Sequence, residues 1–347
     1  MLDMGKAIRI IILSLALVGF AAGLFIYQKY INGPAVPKGL SSYIITIPAN
    51  ASFEEVTSLL LENGFIEDKT VFGLFAKRMN YERNPMRDGR YEIQPGWNMI
   101  QLIRHLRGGA QAPVEVILNN ERMTENVAAK AASFLEFDSI SLWNLLQDES
   151  FLKEIGYTPE TLMSLFIPNT YQLYWNTSPK GFVERMIKEH EKFWSSNKRL
   201  EKAEALGLSP EEVYTLASIV QKESLVTAER SRMAGVYLNR LKVGMPLQAD
   251  PTVVFATRDF ETPRVTFYHT SVESPYNTYK YAGLPPGPIA MAEINSLDAV
   301  LNAEVHKYLY FCAKGDGSGT HNFAKTLSAH NRNARIYAQN LRERGLR

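Results

Sequence analysis

The chain has 347 residues, 46% hydrophobic and 21% charged, which is the make-up of two or three compact domains and excludes disorder along the whole length. Its 38 basic and 36 acidic residues leave a net charge of +2, so there is no broad positive field, and no nucleic-acid partner is expected. The lone cysteine, Cys312, excludes an intrachain disulfide. It lies in YLYFCAKG, which reads as a strand, and a small buried apolar side chain is expected there rather than a nucleophile.

Residues 10–28 read as a transmembrane anchor, because no charge falls between Arg9 and Lys29 and about 20 apolar residues cross a bilayer as a helix. Lys6 and Arg9 precede it, so residues 1–9 are expected on the cytoplasmic side and the rest outside. A cleaved signal peptide is the rival, with Ala21-Ala22-Gly23 as its small-residue site. The apolar run continues through Leu24, Phe25, Ile26 and Tyr27, however, which suits an anchor better. A Pro/Gly/Ser linker, residues 29–41, follows.

Residues 42–110 form the next unit. Alternation around Ile45 and Ile47 predicts a strand. Ser52 with Glu55 makes a capping box for a helix whose stripe is Val56, Leu59 and Leu60 and which ends at Gly64. A second helix is expected from Thr70 to Met79, a returning strand from Tyr91 to Ile93, and a further amphipathic helix before Gly108-Gly109. The strand–helix–helix–strand order resembles the LysM-type glycan-binding module in layout, although that module's usual Gly-Asp-Thr-Leu turn is absent. A small α+β adaptor without a ligand fits the same layout.

Residues 111–206 read as an intermediate strand–helix region. VEVIL predicts a strand, Thr124 a helix N-cap, and Ser139 to Glu154 helix. LFIPNTYQLYWNTSP is an aromatic break, and Pro179 to Leu206 reads as helix again.

The last unit, residues 207–347, carries the chemistry. Ser209, Pro210 and Glu212 mark a helix start, and Val213, Leu216, Ala217 and Val220 share one face. Glu223 stands seven residues after Leu216 and three after Val220, on or beside that apolar face. Thr227 opens a second helix that runs to Leu241, so Glu223 falls at a helix–helix junction. A carboxyl there is partly desolvated and protonated near neutral pH, as a general acid for a glycosidic oxygen must be. The plainer readings are a Glu paired with Lys222 or Arg230, or one exposed at a helix end. Gln248 and Asp250 precede Pro251. Asp250 either caps a helix starting at Pro251, binds a sugar hydroxyl, or serves as a second carboxylate. SPYNTYKYAGLPPGPIA, Ser274 to Ala290, is a rigid loop offering aromatic faces and amides, both useful to a sugar, and it reads equally as a structural surface loop.

The segments LASIVQKES, ERSRMAGVYLNRLKVGMPLQADPTV, YNTYKYAGLPPGPIA, YLYFCAKGDGSGTHNF and LSAHNRNARIY, with FIPNTYQLYW upstream, together resemble the endolytic murein transglycosylase (YceG-like) family in order and spacing, from the anchor almost to Arg347. The resemblance implies an α+β protein: an N-terminal transmembrane helix, a LysM-like βααβ module and a mixed α+β catalytic domain. It also implies cleavage of the MurNAc–GlcNAc bond within peptidoglycan strands to leave 1,6-anhydro-MurNAc ends, with no metal and no cofactor. The family's catalytic Glu is the second acidic position of an EKE motif, which falls on Glu223; the first position is Gln221 here. Ser224 stands where some members carry Thr and is expected to position the acid or the sugar. Gln248, Asp250, Tyr276, Asn277 and Tyr279 are the expected substrate contacts. The partners implied are peptidoglycan glycan strands, the cytoplasmic membrane and wall-synthesis enzymes. A hydrolytic muramidase using Asp250 and an anchored glycan-binding scaffold stay open as alternatives.

Other motifs are weaker. KGDGSGTH lacks the Gly-Lys-Ser/Thr ending of a phosphate loop and reads as a turn between strands Tyr308–Ala313 and Thr320–Ala324. The six histidines show no zinc spacing, and His321 reads as structural or as a border of the glycan groove. Trp175 is the one tryptophan considered for glycan or interdomain contact.

Overall fold

The computed structural model describes residues 4–346. The chain divides into two compact units, one running to Glu115 with Gln172–Thr177 added, the other comprising Val116–Tyr171 and the chain from Ser178 onward.

In the first unit, α1 (Met4–Ile26) continues into a π-helical turn, Tyr27–Asn32. The stretch Lys6–Asn32 is long and apolar enough to cross a membrane. Strand β1 (Ile44–Ile47) is followed by α2 (Phe53–Glu62) and α3 (Lys69–Arg78), then by β2 (Gly89–Glu92) and α4 (Met99–Gly108). β1 and β2 pair antiparallel, with Ile45 opposite Tyr91. The returning strand thus begins at Gly89, two residues earlier than its apolar residues indicate. Helix starts follow from their caps: Glu55 N donates to Ser52 Oγ at 3.2 Å and Ser52 N to Glu55 Oε2 at 2.7 Å. Asp68 accepts from Thr70 N at 2.7 Å. Val56, Leu60, Phe72, Leu102 and Leu106 meet in one core under the two strands.

β3 (Val114–Leu118), which enters the second unit at Val116, leads to α5 (Thr124–Ala132), α6 (Ser139–Gln147), α7 (Glu149–Glu154) and a 3-10 turn, Leu162–Leu165. Thr124 is the first helical residue, not the cap: Met123 is extended, and its N–H is met by Asn126 Oδ1 at 3.0 Å. One Asp ends α6 and starts α7, since Asp148 Oδ1 accepts from Ser150 N at 2.9 Å. β4 (Asn169–Leu173) arises inside the segment read as an aromatic break, Tyr171 and Leu173 turning inward, and pairs with β3. The expected helix from Pro179 is two helices, α8 (Pro179–Ser195) and α9 (Arg199–Leu206), because Asn197 and Lys198 take left-handed φ values of 56° and 57°.

The centre of this unit is α10 (Pro210–Glu223), started by the Ser209–Glu212 capping box. Val213, Tyr214, Leu216, Ala217, Ile219 and Val220 are all fully buried. After a 3-10 turn, Thr227–Glu229, come α11 (Arg230–Lys242), α12 (Asp250–Thr257), the short α13 (Phe267–Ser271), α14 (Ile294–Leu301), the hairpin β5 (Tyr310–Ala313) and β6 (His321–Ala324), and α15 (Leu327–Glu343). The hairpin is antiparallel, with Cys312 opposite Asn322. The Cys312 thiol is half-buried and pushed up by that burial.

A helix buried almost all round must satisfy its polar side chains internally. α10 does so with a ladder at helical spacing. Tyr214 Oη donates to Phe166 O at 2.7 Å and accepts from Ala292 N at 3.0 Å. Ser218 Oγ accepts from Ile289 N at 3.1 Å. Gln221 accepts from Glu293 N at 2.6 Å and donates to Met291 O at 3.2 Å. The segment from Ile289 to Glu293 therefore lies along α10 without joining a sheet. At its far end Arg230 reaches Glu293 Oε2 at 2.7 Å, Ser296 Oγ at 2.9 Å and Ser224 O at 3.3 Å.

Gln221→Leu keeps the volume and removes both bonds, leaving a buried N–H and a buried carbonyl unpaired. The expected loss is about 2 kcal/mol, read as a lower thermal midpoint of the full chain in detergent. An unchanged midpoint would show that the ladder does not hold this segment.

Candidate active site

Glu223 is the last residue of α10, and Ser224 follows in extended conformation, its N–H bonded to Val220 O at 3.2 Å. The chain turns there because Ser224 Oγ closes on Val226, accepting from its N–H and lying 3.2 Å from its carbonyl. The turn aims Glu223 into a cavity of about 270 Å³. Glu223 and Asp250 line it together with Arg122, Lys222, Phe255 and Phe260. The Glu223 residue is half-buried, opening onto this cavity, while protein encloses its carboxyl on the other sides.

That enclosure sets its chemistry. Burial pushes the Glu223 carboxyl up to about 7, and the Asp250 charge adds to the rise. Opposing it, Tyr237 Oη donates to Glu223 Oε1 at 3.0 Å, and the Arg240 charge and the Asp250 backbone N–H also favour the carboxylate. Tyr237 is fully buried on α11, its ring edge-on to Phe311 of the hairpin at 5.7 Å. Arg240, one turn on, is fixed by Leu309 O at 2.7 Å and Leu247 O at 2.5 Å. Burial lowers the Lys222 ammonium, with Arg122 nearby acting in the same direction. The Arg122 guanidinium stacks over the Phe260 ring at 4.3 Å.

Asp250 is the first residue of α12, not its cap; Ala249 occupies that place and makes no side-chain cap bond. The Asp250 carboxylate instead receives the Tyr279 hydroxyl. The chain around it is stitched to the aromatic loop: Gln248 N donates to Thr278 O and Ala249 N to Thr278 Oγ1, both at 3.0 Å. Farther along that loop, a Cβ on Gly287 would come within 1.9 Å of Glu160 O, so only glycine allows this approach.

The residues singled out in the sequence therefore separate. Glu223 and Asp250 come together at the cavity, and Tyr279 joins them through its hydroxyl on Asp250. Tyr276 stands behind it, ring against Phe255 at 4.7 Å. Gln248 is exposed, outside the cavity lining, and contributes its backbone at a φ of 48°. Ser224 and Asn277 are internal supports. Asn277 is fully buried, its amide donating to Thr270 O at 3.0 Å and Val272 O at 2.8 Å and its carbonyl accepting from Tyr279 N at 3.0 Å. Neither has a polar atom left to offer a sugar. The pairing of Glu223 with Lys222 or Arg230 does not occur: Arg230 goes to Glu293, and Lys222 Nζ lies 3.4 Å from Asn120 Oδ1. His321 is bound by Glu229, 3.0 Å from Nδ1 to Oε2. Tyr237, Arg240, Arg122 and Phe260 carry no such sequence signal; Tyr237 and Arg240 lie within a helical stripe that reads as ordinary core.

A carboxyl raised above its unfolded value stabilises the fold fully below the unfolded pKa and loses that contribution as pH rises toward about 7. Above that point Glu223→Gln is expected to be more stable than the parent, by on the order of 1–3 kcal/mol, with no gain in acid. Tyr237→Phe, which removes a donor to the carboxylate, is expected to move the Glu223 titration upward in carbon-13 NMR of labelled protein. A downward move would contradict the hydrogen-bond assignment.

The YceG-like family model matches residues 45–336. An endolytic murein transglycosylase of Bacillus subtilis (strain 168) is 30% identical over 338 residues, covering 93% of this chain and 92% of that protein. One from Streptococcus pneumoniae (serotype 2, strain D39) is 26% identical over 346 residues, covering 90% of this chain and 62% of the longer relative. The crystal structure of a yceG-like protein from Listeria monocytogenes superposes with a TM-score of 0.56 at 27% identity, over 83% of this chain and 97% of that one. With a family match spanning most of its length and a relative of nearly equal extent, this chain belongs to the YceG-like family.

Proposed function

We propose that this chain is an endolytic murein transglycosylase, an enzyme that cuts peptidoglycan glycan strands internally with Glu223 as its acid and base. The observation that carries the reading is a carboxyl held up to about 7 by burial at the wall of a cavity. The names of the relatives point to the same chemistry.

The protonated Glu223 donates its proton to the glycosidic oxygen, and the bond from that oxygen to C1 of MurNAc breaks. The positive charge developing at C1 is met by the substrate's own acetamido group. The C6 hydroxyl of MurNAc then attacks C1 and gives its proton to the Glu223 carboxylate. The acid is regenerated, no water is consumed, and the product end is 1,6-anhydro-MurNAc. One carboxyl suffices because the substrate supplies the nucleophile, whereas a hydrolase commonly needs two. Tyr237 stabilises the carboxylate formed between the steps. Asp250, oriented by Tyr279, keeps the acid's affinity for its proton high. Its place in the same cavity also keeps a hydrolytic muramidase as the second reading.

The apolar N-terminal helix supports a single-pass anchor in the cytoplasmic membrane with the second unit outside. The β1–α2–α3–β2 arrangement supports a LysM-like glycan-binding role for residues 42–110. Wall-synthesis enzymes are the proposed protein partners.

The test is mass spectrometry of purified strands after digestion by the full chain in detergent, beside Glu223→Gln. Internal fragments with anhydro ends, lost by at least a thousandfold in the variant, are expected. Reducing ends in place of anhydro ends would make the enzyme a hydrolase. Equal cleavage by the variant would remove Glu223 from the chemistry.

A further inference from the structure

A second cavity, of about 820 Å³, adjoins the one at Glu223. Pro263, Val265 and Phe267 line it on one side, and Asp250, Val254 and Tyr279 on the other. Asp250 and Val254 line both cavities, so the two meet across the first turn of α12. This volume lies within the range of small-ligand sites. Phe267 is 85% exposed and Tyr268 beside it 64%. A single exposed ring is ordinary. A ring that lines a cavity adjoining the one at Glu223, on a fixed backbone, is a different matter.

The backbone there is fixed from within. His269, between the rings and the rest of the unit, is 3% exposed. Its Nδ1 accepts from Thr266 N at 3.1 Å, which leaves Nε2–H to donate to Asp259 Oδ2 at 3.0 Å. The far end of α13 is held by the Asn277 amide on Thr270 O and Val272 O. A five-residue helix this closely tied holds the Phe267 backbone in place, so stacking a ligand on the ring costs no ordering of the chain that carries it.

We propose that Phe267, with Tyr268 beside it, is the aromatic platform of a further saccharide subsite, taking a sugar of the same strand beyond the pair held at Glu223. This rests on the glycan-cleaving reading above. An internal bond has sugars on both sides, so an endolytic groove must continue past its acid. The second cavity provides that continuation, and an exposed ring gives the CH face of a pyranose the apolar surface it stacks on.

The experiment uses the full chain in detergent with two substrates, long peptide-free GlcNAc–MurNAc strands and a tetrasaccharide. Phe267→Ala is expected to raise KM for strands roughly tenfold more than KM for the tetrasaccharide, the loss falling in KM rather than kcat. Phe267→Trp is expected to restore it and Phe267→Leu to fail. In a Glu223→Gln background, where binding is read without cleavage, adding Phe267→Ala is expected to weaken strand binding by a similar factor. Unchanged strand KM and binding would overturn the subsite, as would equal losses on both substrates or full function in Phe267→Leu. If the parent enzyme cut no strands, the cleavage reading would fall, while binding to the Glu223→Gln protein would still decide whether Phe267 holds a glycan.

Discussion

A carboxyl keeps its proton in neutral water when its charge is poorly solvated, which a folded chain achieves by surrounding the group with atoms that solvate charge poorly, and a neighbouring negative charge adds to the effect. Glu223 is treated this way at the end of α10, where burial is the main cause of its rise and the Asp250 charge the next. Complete burial would be useless, because the proton has to reach a substrate. The opening onto the cavity and the single hydroxyl of Tyr237 leave the group poised rather than locked. A carboxyl near 7 can give a proton and take one back with little bias, and a one-carboxyl transglycosylation asks for both.

The surrounding architecture follows from that demand. A helix that ends at a desolvated carboxyl has to run through the core, so α10 is buried nearly all round and meets its neighbours through polar bonds as well as apolar contacts. The ladder of Tyr214, Ser218 and Gln221 ties down the segment from Ile289 to Glu293. Arg230 ties the end of that segment to the turn after Glu223. On the other side, the hairpin braces Tyr237 through Phe311, and the aromatic loop braces Asp250 through Tyr279 and Thr278. Supports drawn from distant parts of the sequence thus converge on one side chain, the arrangement expected where geometry has to be held tightly.

Local signals were legible in the sequence where local chemistry decides. The Ser52–Glu55 and Ser209–Glu212 capping boxes, the hydrophobic stripes of α2 and α10 and the hairpin around Gly315 could all be read from a few adjacent residues. β4 could not, since its residues are extended by pairing with β3, far away in the chain. The break between α8 and α9 is hidden because Lys198, a good helix former, gives no local sign of the left-handed φ it takes after Asn197. Gln221 shows the same limit from another side: as a polar residue near a helix end it looks exposed, and only the Met291 and Glu293 backbone explains why it is buried. At the candidate site, the helix-end position of Glu223 and the place of Asp250 before Pro251 are visible in the sequence, whereas Tyr279 enters only through the family resemblance. Tyr237 gives no such signal, because nothing in a helical stripe tells a core tyrosine from one whose hydroxyl faces a carboxylate.

If the enzyme works in the state where Glu223 holds its proton, kcat/KM on peptide-free strands must depend on pH in a set way, measurable for the parent and for Asp250→Asn. The parent is expected to lose activity as pH rises through about 7, and the variant to lose it at lower pH, because removing the Asp250 charge lets the Glu223 proton go more easily. A profile flat across the neutral range, or a limb that stays in place in the variant, would contradict the assignment of Glu223 as the buried acid.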